Sequence, residues 1–578
     1  MFVLIEVSHA EAQISSTRKY DPVILTGSQL SGLINLNPNQ IIGFKFLNDD
    51  WTQIPIQIDE RELLDISSPY GAQAGVYNNT YPLSPSNPKV LYYSDSTTAI
   101  GSDTNSLFDN DDELIFMASD TGEKALTNPT GGLLGTCQEV QIKDPLNTDI
   151  AYIYLCQNIS VFSQDAGIDY VNYVSDLNTT VGFPYNENVE NIEDTTISTS
   201  EYSWHFISEW KSDEFKIAGG TLDILDRQKV LGDVNGTPNC NLSTHGFSSN
   251  GNAFATVKDG PIRVIRSYIG ANSGVNTQRT HFFYKGRHDM VNDLHVHPFA
   301  VDTTLYDVYD YSPAAIGMTY LNDQQPSTAS RVTIDGVDDV LVQNAQALLW
   351  EEVRGPNDVV SIIHKTETDA TSAEVSFVPY YQDNSGAPEF NCLSTGDGQA
   401  LSTSGMGSLI KPTVCTDILH GNCDASEFRT IKNERITYID QGATIADNIT
   451  AQYRAKIDNP LNVSISSYEI KNKRGGSKRI SKERLTDIFG TKNIEAEDLK
   501  NIQCSIDYTR LITFGVRGED VKQVQACMNS LGYTSGPEDG IYGPLTYAGI
   551  IAYQQAQDLK VDGIVGPNTS NSLNTLVN

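Results

Sequence analysis

The first 470 residues of the chain carry short runs in which apolar and polar positions alternate, separated by turns rich in Gly, Asn and Asp. Residues 40–46 and 51–60 follow this pattern, and apolar runs at 111–118, 262–269 and 280–284 continue it. Because successive side chains of a strand point to opposite faces, a period of two indicates a half-buried strand. Long helical spacing does not occur in this part of the sequence. The pattern therefore predicts mainly β structure in sandwich-type domains.

Helical spacing begins only in the last seventy residues or so. Apolar positions at Val521, Val524, Met528 and Leu531 fall on one helical face, and Gly532 is a stop signal. The turn sequence Asp-Gly-X-X-Gly-Pro-X-Thr then occurs twice, beginning at positions 539 and 562. Its glycines supply backbone angles that other residues reach only under strain, and its prolines suit the first turn of a helix. These features predict a separate, small all-α module.

The helix, the doubled turn and the intervening Tyr553-Gln554-Gln555 resemble the peptidoglycan-binding-like domain family, a three-helix module, over residues 509–578. The resemblance implies that this module tethers a secreted protein to cell-wall glycopeptide. We expect a ligand groove beside the two turns that uses backbone N–H groups, threonine hydroxyls and tyrosine rings. The expected contacts are Asp539, Gly540, Tyr542, Gly543, Thr546, Tyr547, Tyr553, Asp562, Gly563 and Thr569. The alternative is a helical module used for protein contacts, including self-assembly.

Charge narrows the choice of partners. The chain has 39 Lys and Arg residues against 73 Asp and Glu residues, a formal net charge of -34. Such a balance argues against nucleic acid or an anionic membrane as the main partner. No stretch approaches 18 uninterrupted apolar residues, so we expect no membrane span. The composition favours an exported protein that meets cations, sugars or a cell wall.

The N-terminus and a basic run supply the domain boundaries. Ala10-Glu11-Ala12 has the small-X-small form of a signal cleavage site, so residues 1–19 are interpreted as a truncated secretion signal with an extension. We place β-rich domains at 20–200 and 201–470, a basic linker at 471–508 and the helical module at 509–578. The predicted location is secreted, at the cell surface or in the wall.

Eight cysteines occur without a CxxC pair or a zinc-site spacing, at positions 137, 156, 240, 392, 415, 423, 504 and 527. An even number without metal spacing favours disulfides formed in an oxidising compartment. The local pairs would be 137–156 and 504–527, with two more among the other four. Free, buried cysteines are the alternative.

Two groups of residues are candidate metal ligands. His295 and His297 would share one face of a strand, and Asp302 could complete a zinc site that activates water for hydrolysis. Asp109, Asp111 and Glu113 crowd one loop, where carboxylate oxygens could hold a structural calcium ion. The alternatives are an ordinary strand face for the histidines and acidic turns left in water for the carboxylates. Calcium is favoured over zinc, and no cofactor is required by a motif.

Two functions follow from these observations. The first is a secreted cell-envelope or surface protein whose β-rich body is tethered to wall glycopeptide by the C-terminal module. The second is a secreted hydrolase of the wall or of polysaccharide that uses the same module for targeting. The body has no nucleophile elbow, phosphate-binding loop or dinucleotide fingerprint, which favours the first. Stoichiometric zinc on His295 and His297 would favour the second.

Overall fold

The structure is a computed structural model of the 578-residue chain. It describes residues 14–66, 89–126, 133–158, 167–176, 194–207, 212–217, 222–238, 253–269, 278–294, 301–383, 402–415, 429–469 and 510–575, apart from positions 99, 326, 338, 340, 342–345, 413, 443, 514–515, 532, 534, 536–537, 539, 558 and 561–562.

The first described elements are a short helix and nine strands. They are α1 (Ile14–Thr17), β1 (Pro22–Thr26), β2 (Ile41–Leu47), β3 (Asp50–Ile54), β4 (Gln57–Asp59), β5 (Arg61–Asp65), β6 (Lys89–Tyr93), β7 (Glu113–Met117), β8 (Leu133–Lys143) and β9 (Ile150–Asn158).

The body continues with strands, two short 3-10 helices at Pro313–Ala315 and Thr328–Ser330, and one α-helix near its end. These elements are β10 (Asn172–Ser175), β11 (Asp194–Ser198), β12 (Tyr202–Ile207), β13 (Ser212–Ile217), β14 (Leu225–Val234), β15 (Thr237–Pro238), β16 (Ala253–Lys258), β17 (Arg263–Ile269), β18 (Gln278–Tyr284), β19 (Arg287–Asp293), β20 (Thr303–Tyr311), β21 (Thr319–Asn322), β22 (Val332–Thr333), β23 (Trp350–Arg354), β24 (Asp358–Thr368), β25 (Val375–Gln382), β26 (Thr403–Ile410), β27 (Ile431–Gln441), α2 (Ile449–Asp458) and β28 (Asn462–Glu469).

The C-terminal module consists of helices α3 (Glu519–Ser530), α4 (Pro544–Ala556) and α5 (Pro567–Thr575). Pro544 and Pro567 each stand at the first position of a helix, as the turn motif predicted. The prediction of a mainly β chain with a small all-α C-terminal module is confirmed. No helix in the described part of the chain is both long and apolar enough to cross a membrane.

The strands of the body form antiparallel sheets. A nine-stranded sheet has the order β16-β17-β18-β19-β27-β24-β23-β21-β22, and five-stranded sheets have the orders β15-β14-β20-β26-β25 and β28-β8-β9-β2-β3. Smaller sheets are β10-β11-β12-β13, β1-β7-β4 and β5-β6. Trp204, Phe215, Phe283, Tyr309 and Val353 come from different strands of three of these sheets and meet in one buried core. The sheet β28-β8-β9-β2-β3 is covered on both faces, because Ile41 and Ile153 belong to one buried cluster and Ile42 and Phe44 to another.

Strand β28 pairs with β8 from Asn462 opposite Lys143 to Glu469 opposite Thr136. The last strand of the body therefore belongs to the same sheet as the early strands β2 and β3. Arg18 supports this return, because its guanidinium donates to both Asp144 carboxylate oxygens, at 3.0 and 2.6 Å, and to the Asn459 carbonyl at 2.9 Å. That carbonyl follows α2, so a buried cation satisfies a group that a helix end leaves without an intrahelical partner.

The predicted disulfide between Cys137 and Cys156 is confirmed, and it joins the neighbouring strands β8 and β9. Cys415 and Cys527 are also disulfide-bonded. The predicted partner of Cys527, Cys504, lies outside the described residues.

A buried ion cluster joins the three-stranded sheet to the nine-stranded sheet. Arg263 on β17 donates to Asp59 on β4 at 2.9 Å and to Glu113 on β7 at 2.6 Å. Arg263 is 1% exposed and Asp59 is fully buried. Burial alone would raise the pKa of Asp59, but the Arg263 guanidinium and the Lys258 ammonium outweigh it and hold that pKa below its ordinary value. The carboxylate is therefore charged, and its pairing is a condition of the fold.

Replacing Arg263 with Met should lower the free energy of unfolding by about 3 kcal/mol, because two buried carboxylates lose their shared cation. Equilibrium denaturation of the full chain measures this loss. The matched control is Lys365→Met, which removes a 2.7 Å ion pair to Glu434 from a half-exposed site. That change should cost roughly 0–1 kcal/mol. Equal effects of the two substitutions would contradict the assigned role of Arg263.

His205 makes a pH-dependent contribution to the four-stranded sheet. Its Nδ1 lies 2.7 Å from Asp213 on β13 and its Nε2 lies 3.0 Å from Asp194 on β11. The hydrogen bond with Asp213, opposed by burial and supported by Asp194, raises the pKa of His205 to about 9. A raised pKa means that the protonated imidazole stabilises the folded state.

The stabilisation by His205 should be complete below about pH 6.5, the ordinary histidine pKa, and should be lost as pH rises towards 9. We expect about 1 kcal/mol, because solvent screens this partly exposed group. The measurement is the difference in unfolding free energy between the wild type and His205→Gln from pH 5.5 to 9.5. A difference that does not change with pH would rule this contribution out.

Candidate functional site

The two Gly-Pro turns of the C-terminal module are built around two buried glutamines. Gln525 on α3 accepts from the Gly540 amide at 2.8 Å and donates to the Ile541 carbonyl at 3.0 Å and to the Thr546 hydroxyl at 2.9 Å. Gln525 is 1% exposed. One side-chain amide therefore satisfies a backbone donor, a backbone acceptor and a hydroxyl of the first turn.

Gln554 on α4 repeats this arrangement at the second turn. It accepts from the Gly563 amide at 2.9 Å and donates to the Ile564 carbonyl and the Thr569 hydroxyl, both at 3.0 Å. Gln554 is fully buried. We call each set of three hydrogen bonds a glutamine bracket. A buried polar side chain of this kind stabilises a fold only when its partners are all present, which the repeat provides twice.

The two turns are also joined to each other and to the segment before α3. The Tyr542 hydroxyl donates to the Gly563 carbonyl at 2.7 Å. Isolated β-bridges pair Arg517 with Ile541 and Ile512 with Val565. The two turns and the segment that contains Ile512 and Arg517 therefore lie side by side. We call their common outer surface the turn face.

Several predicted ligand contacts have internal partners in the structure instead of a surface position. Thr546 and Thr569 are 1% and 4% exposed, and their hydroxyls donate to the carbonyls of Ser535 and Ile564. Tyr542 is fully buried. Because these groups are already used by the fold, they are not available to a ligand in this conformation.

The other described residues that were predicted to contact the ligand also have partners within the module. Tyr553 is fully buried, and its hydroxyl lies 2.8 Å from the Ser572 hydroxyl. The Tyr547 ring packs partly buried against the module core. The Gly543 amide donates to the Ile541 carbonyl at 2.8 Å, so the expected supply of open backbone N–H groups is also reduced. Asp539 and Asp562 lie outside the described residues.

The exposed apolar side chains of the turn face are different from those expected. Ile541 in the first turn is 36% exposed, and Leu511, next to Gly566 of the second turn, is 56% exposed. Arg517 and Lys522 are exposed beside the first turn. The turn face thus combines apolar contact area with two basic side chains, and Glu538 is exposed just before the first turn.

In the described residues, no group of three His, Cys, Asp or Glu side chains could hold a metal ion. His295 and His297 lie outside the described residues, and the Asp302 carboxylate is paired with Lys411. In the acidic loop, Asp109 accepts from the Asn105 amide at 2.7 Å, and burial together with Asp109 raises the pKa of Asp111 to about 6.

Glu113 was predicted to bind calcium together with Asp109 and Asp111, but its carboxylate has other partners in the structure. Its carboxylate pairs with Arg61 at 2.7 Å and with Arg263 at 2.6 Å in the interior cluster described above. Glu113 begins β7, whose five residues are all buried, so its side chain lies in the interior. Two arginines therefore occupy the oxygens that the prediction assigned to a cation.

Two other histidines form part of the core. His281 Nδ1 lies 3.0 Å from His288 Nε2, and the His288 ring stacks on Phe283 with centroids 4.3 Å apart. Burial, followed by the positive charges of Arg435 and Arg279, lowers the pKa of His288 to about 3. Burial also lowers the pKa of His281 well below its ordinary value. Both imidazoles are therefore neutral at neutral pH and pack as aromatic rings.

The C-terminal module is similar in sequence to known proteins. The model of the peptidoglycan binding domain family matches residues 517–573. The chain is 41% identical over 56 residues to N-acetylmuramoyl-L-alanine amidase CwlM of Mycobacterium tuberculosis, which covers 10% of this chain and 14% of the amidase. It is 33% identical over 69 residues to the spore cortex-lytic enzyme of Halalkalibacterium halodurans, covering 12% and 21%.

Among solved structures, the SleB N-terminal domain aligns with 30% identity and a TM-score of 0.12, covering 13% of this chain and 100% of that chain. The chain spans less than a quarter of the length of either curated relative. The resemblance of the C-terminal region to the peptidoglycan-binding domain family is thereby confirmed. It supports an association of the protein with the cell wall.

The glycine of the second turn should tolerate no side chain. Gly563 has φ of +64°, and a Cβ there would lie 1.9 Å from Cε2 of Tyr547. Gly563→Ala should therefore destabilise the module by about 2 kcal/mol. The measurement is amide hydrogen exchange of α4 and α5 in the full chain. We expect it to be more than tenfold faster in the variant.

The matched control is Gly543→Ala in the first turn. A Cβ at Gly543 meets nothing closer than the Ile541 carbonyl oxygen at 4.0 Å, and its φ is not positive. This substitution should leave exchange unchanged within about twofold. Similar exchange rates in the two variants would show that the second turn is not constrained as described.

Proposed function

We propose that the protein is a secreted cell-envelope protein whose β-rich body is held at the wall by binding of the C-terminal module to peptidoglycan. The observation that carries the proposal is the family match over residues 517–573, together with a module core that is complete in itself. The body contributes most of the chain but carries no catalytic motif in its sequence. Tethering therefore accounts for both parts with the fewest assumptions.

We place the wall contact on the turn face. Leu511 and Ile541 offer apolar area that would pack against methyl groups of the glycan and its peptide. Arg517 and Lys522 would attract the carboxylates of the peptide stem. The glutamine brackets hold the turns rigid, so little conformational entropy would be lost on binding.

The second candidate is a wall hydrolase that uses the same module for targeting. The two curated relatives that share the module are named as an amidase and a cortex-lytic enzyme, which favours this alternative. Hydrolysis would release soluble fragments from purified wall, whereas tethering would not. One sedimentation experiment therefore separates the two candidates.

Leu511→Asp and Ile541→Asp should each weaken co-sedimentation with purified peptidoglycan by roughly tenfold, because each loses the burial of one aliphatic side chain. The full chain is the starting protein, and deletion of 509–578 should abolish sedimentation. The matched control is Leu222→Asp on the body, where the side chain is 61% exposed, and it should sediment like the wild type.

Soluble fragments are scored in the same assay. Binding without fragments supports the tether, and fragments released by the full chain would replace it with the hydrolase. Undiminished sedimentation after deletion of 509–578 would show that the module is not the anchor. Retained binding by both turn-face variants would move the contact to another surface of the module.

A further inference from the structure

Two buried histidines lie where the four-stranded sheet packs on the nine-stranded sheet. His281 on β18 and His288 on β19 are fully buried, and their nearly parallel rings have centroids 5.2 Å apart. From β12 of the four-stranded sheet, Trp204 packs on His288 at a centroid distance of 4.5 Å and Phe206 packs on His281 at 5.4 Å. The contact between the two sheets therefore includes two titratable rings. We call His281 and His288 the histidine pair.

The hydrogen bonds of the histidine pair leave no acceptor for a further proton on His288. His281 Nδ1 lies 3.0 Å from His288 Nε2, and His281 Nε2 lies 2.6 Å from the Tyr268 hydroxyl. His288 Nδ1 is buried without a hydrogen-bond partner. Because an imidazolium donates through both nitrogens, a protonated His288 would bury an N–H group that has no acceptor.

Arginines surround the pair on the same face of the nine-stranded sheet. Arg266 on β17 is paired in register with His281, and Arg279 lies two residues before His281 on β18. Arg435 comes from β27, which pairs with β19. From the facing sheet, the Asp307 carboxylate on β20 is already held by Arg279 at 2.6 Å and lies 3.6 Å from Arg435. A proton on either histidine would therefore add positive charge where the nearby carboxylate is already paired.

Uncharged polar groups from four strands complete the surroundings of the pair that the structure describes. They are Tyr268 on β17, Gln228 on β14, Tyr309 on β20 and Thr437 on β27. Glu351, further along the nine-stranded sheet, is paired with His364 at 2.6 Å. Burial, followed by charge repulsion within the pair and from the arginines, lowers the pKa of both imidazoles, that of His288 to about 3.

We propose that the histidine pair makes the docking of the four-stranded sheet sensitive to acid, so that this sheet is closed on the pair at neutral pH and opens when the imidazoles take up protons. In the open state both rings would meet water and regain the ordinary histidine pKa of about 6.5. Because the pKa values of the closed state are lower, closure is fully favoured above about pH 6.5 and is weakened progressively as pH falls below it.

His205 has the opposite pH dependence and keeps the four-stranded sheet intact. On β12 it joins Asp213 of β13 to Asp194 of β11, and this contact is strongest when the imidazole is protonated. The sheet should therefore separate from the pair as a unit, with its own strands still joined. The inference does not rest on wall binding, because the residues that carry it belong to the body.

The test is amide hydrogen exchange of the full chain at pH 7 and pH 5, with each rate corrected for the intrinsic pH dependence of exchange. Corrected rates in β12 and β18 should rise more than about 100-fold, because each histidine contributes a factor of about 25 over this range. Helix α4 is the internal control, since residues 510–575 contain no histidine, and its rates should change less than about threefold.

Variants identify the groups responsible. His281→Phe combined with His288→Phe keeps two aromatic rings and removes both titrations, so the rates in β12 should differ less than about threefold between the two pH values. His288→Phe alone leaves one titrating group and should reduce the wild-type ratio by about 25-fold. His205→Gln is the matched control and should keep the wild-type ratio, because His205 is protonated at both pH values.

Three results would overturn the inference. The first is wild-type exchange in β12 that does not rise between pH 7 and pH 5, which needs no variant to be observed. The second is an equal rise in α4, which would show general acid destabilisation of the chain. The third is a double variant that keeps the wild-type ratio, since the titrating groups would then lie elsewhere.

Discussion

A single buried guanidinium joins the three-stranded sheet of the body to its nine-stranded sheet. Arg263 lies 204 residues from Asp59 and 150 residues from Glu113 along the chain, yet it contacts both carboxylates in the interior. Apolar packing alone would tolerate a shift between two sheets, since it has little directional preference. A buried ion cluster does not, because any displacement leaves a charge in a medium of low dielectric constant. Gln57 and Lys258 belong to the same cluster, because both contact Asp59.

In the C-terminal module, neutral glutamine side chains fix the position of the two turns. Each glutamine bracket satisfies the backbone of one turn from inside, at a sequence separation of 15 residues for Gln525 and Gly540 and of nine for Gln554 and Gly563. The consequence for function is indirect. Backbone groups that could have faced a ligand are used by the fold, so recognition must come from side chains that project outward from the turns. Under the proposed function, a rigid frame of this kind would suit an insoluble polymer, which cannot adapt its shape to the protein.

The candidate site was only partly predictable from the sequence. The repeated turn identified the C-terminal module, because glycine at a left-handed position and proline at a helix start are local requirements. Thr546 and Thr569 were assigned to a ligand because a hydroxyl next to a turn looks the same in sequence whether it points inward or outward. Gln525 and Gln554 were not singled out, since their different spacings from the two turns conceal the repeat. Glu113 was grouped with Asp109 and Asp111 as a neighbour in the chain, whereas its partner Arg263 is a neighbour only in space.

The sequence by itself determined the class of fold, the helical C-terminal module and its family, and the disulfide between Cys137 and Cys156. Each of these depends on spacing over a few residues, and physical rules for strands, helix ends and short loops act over that range. Tertiary structure alone decided which polar side chains are buried, that β28 returns to β8, and that Arg263 meets Asp59 and Glu113. These features depend on contacts between residues far apart in the chain, and alternation or composition carries no record of which distant segments meet.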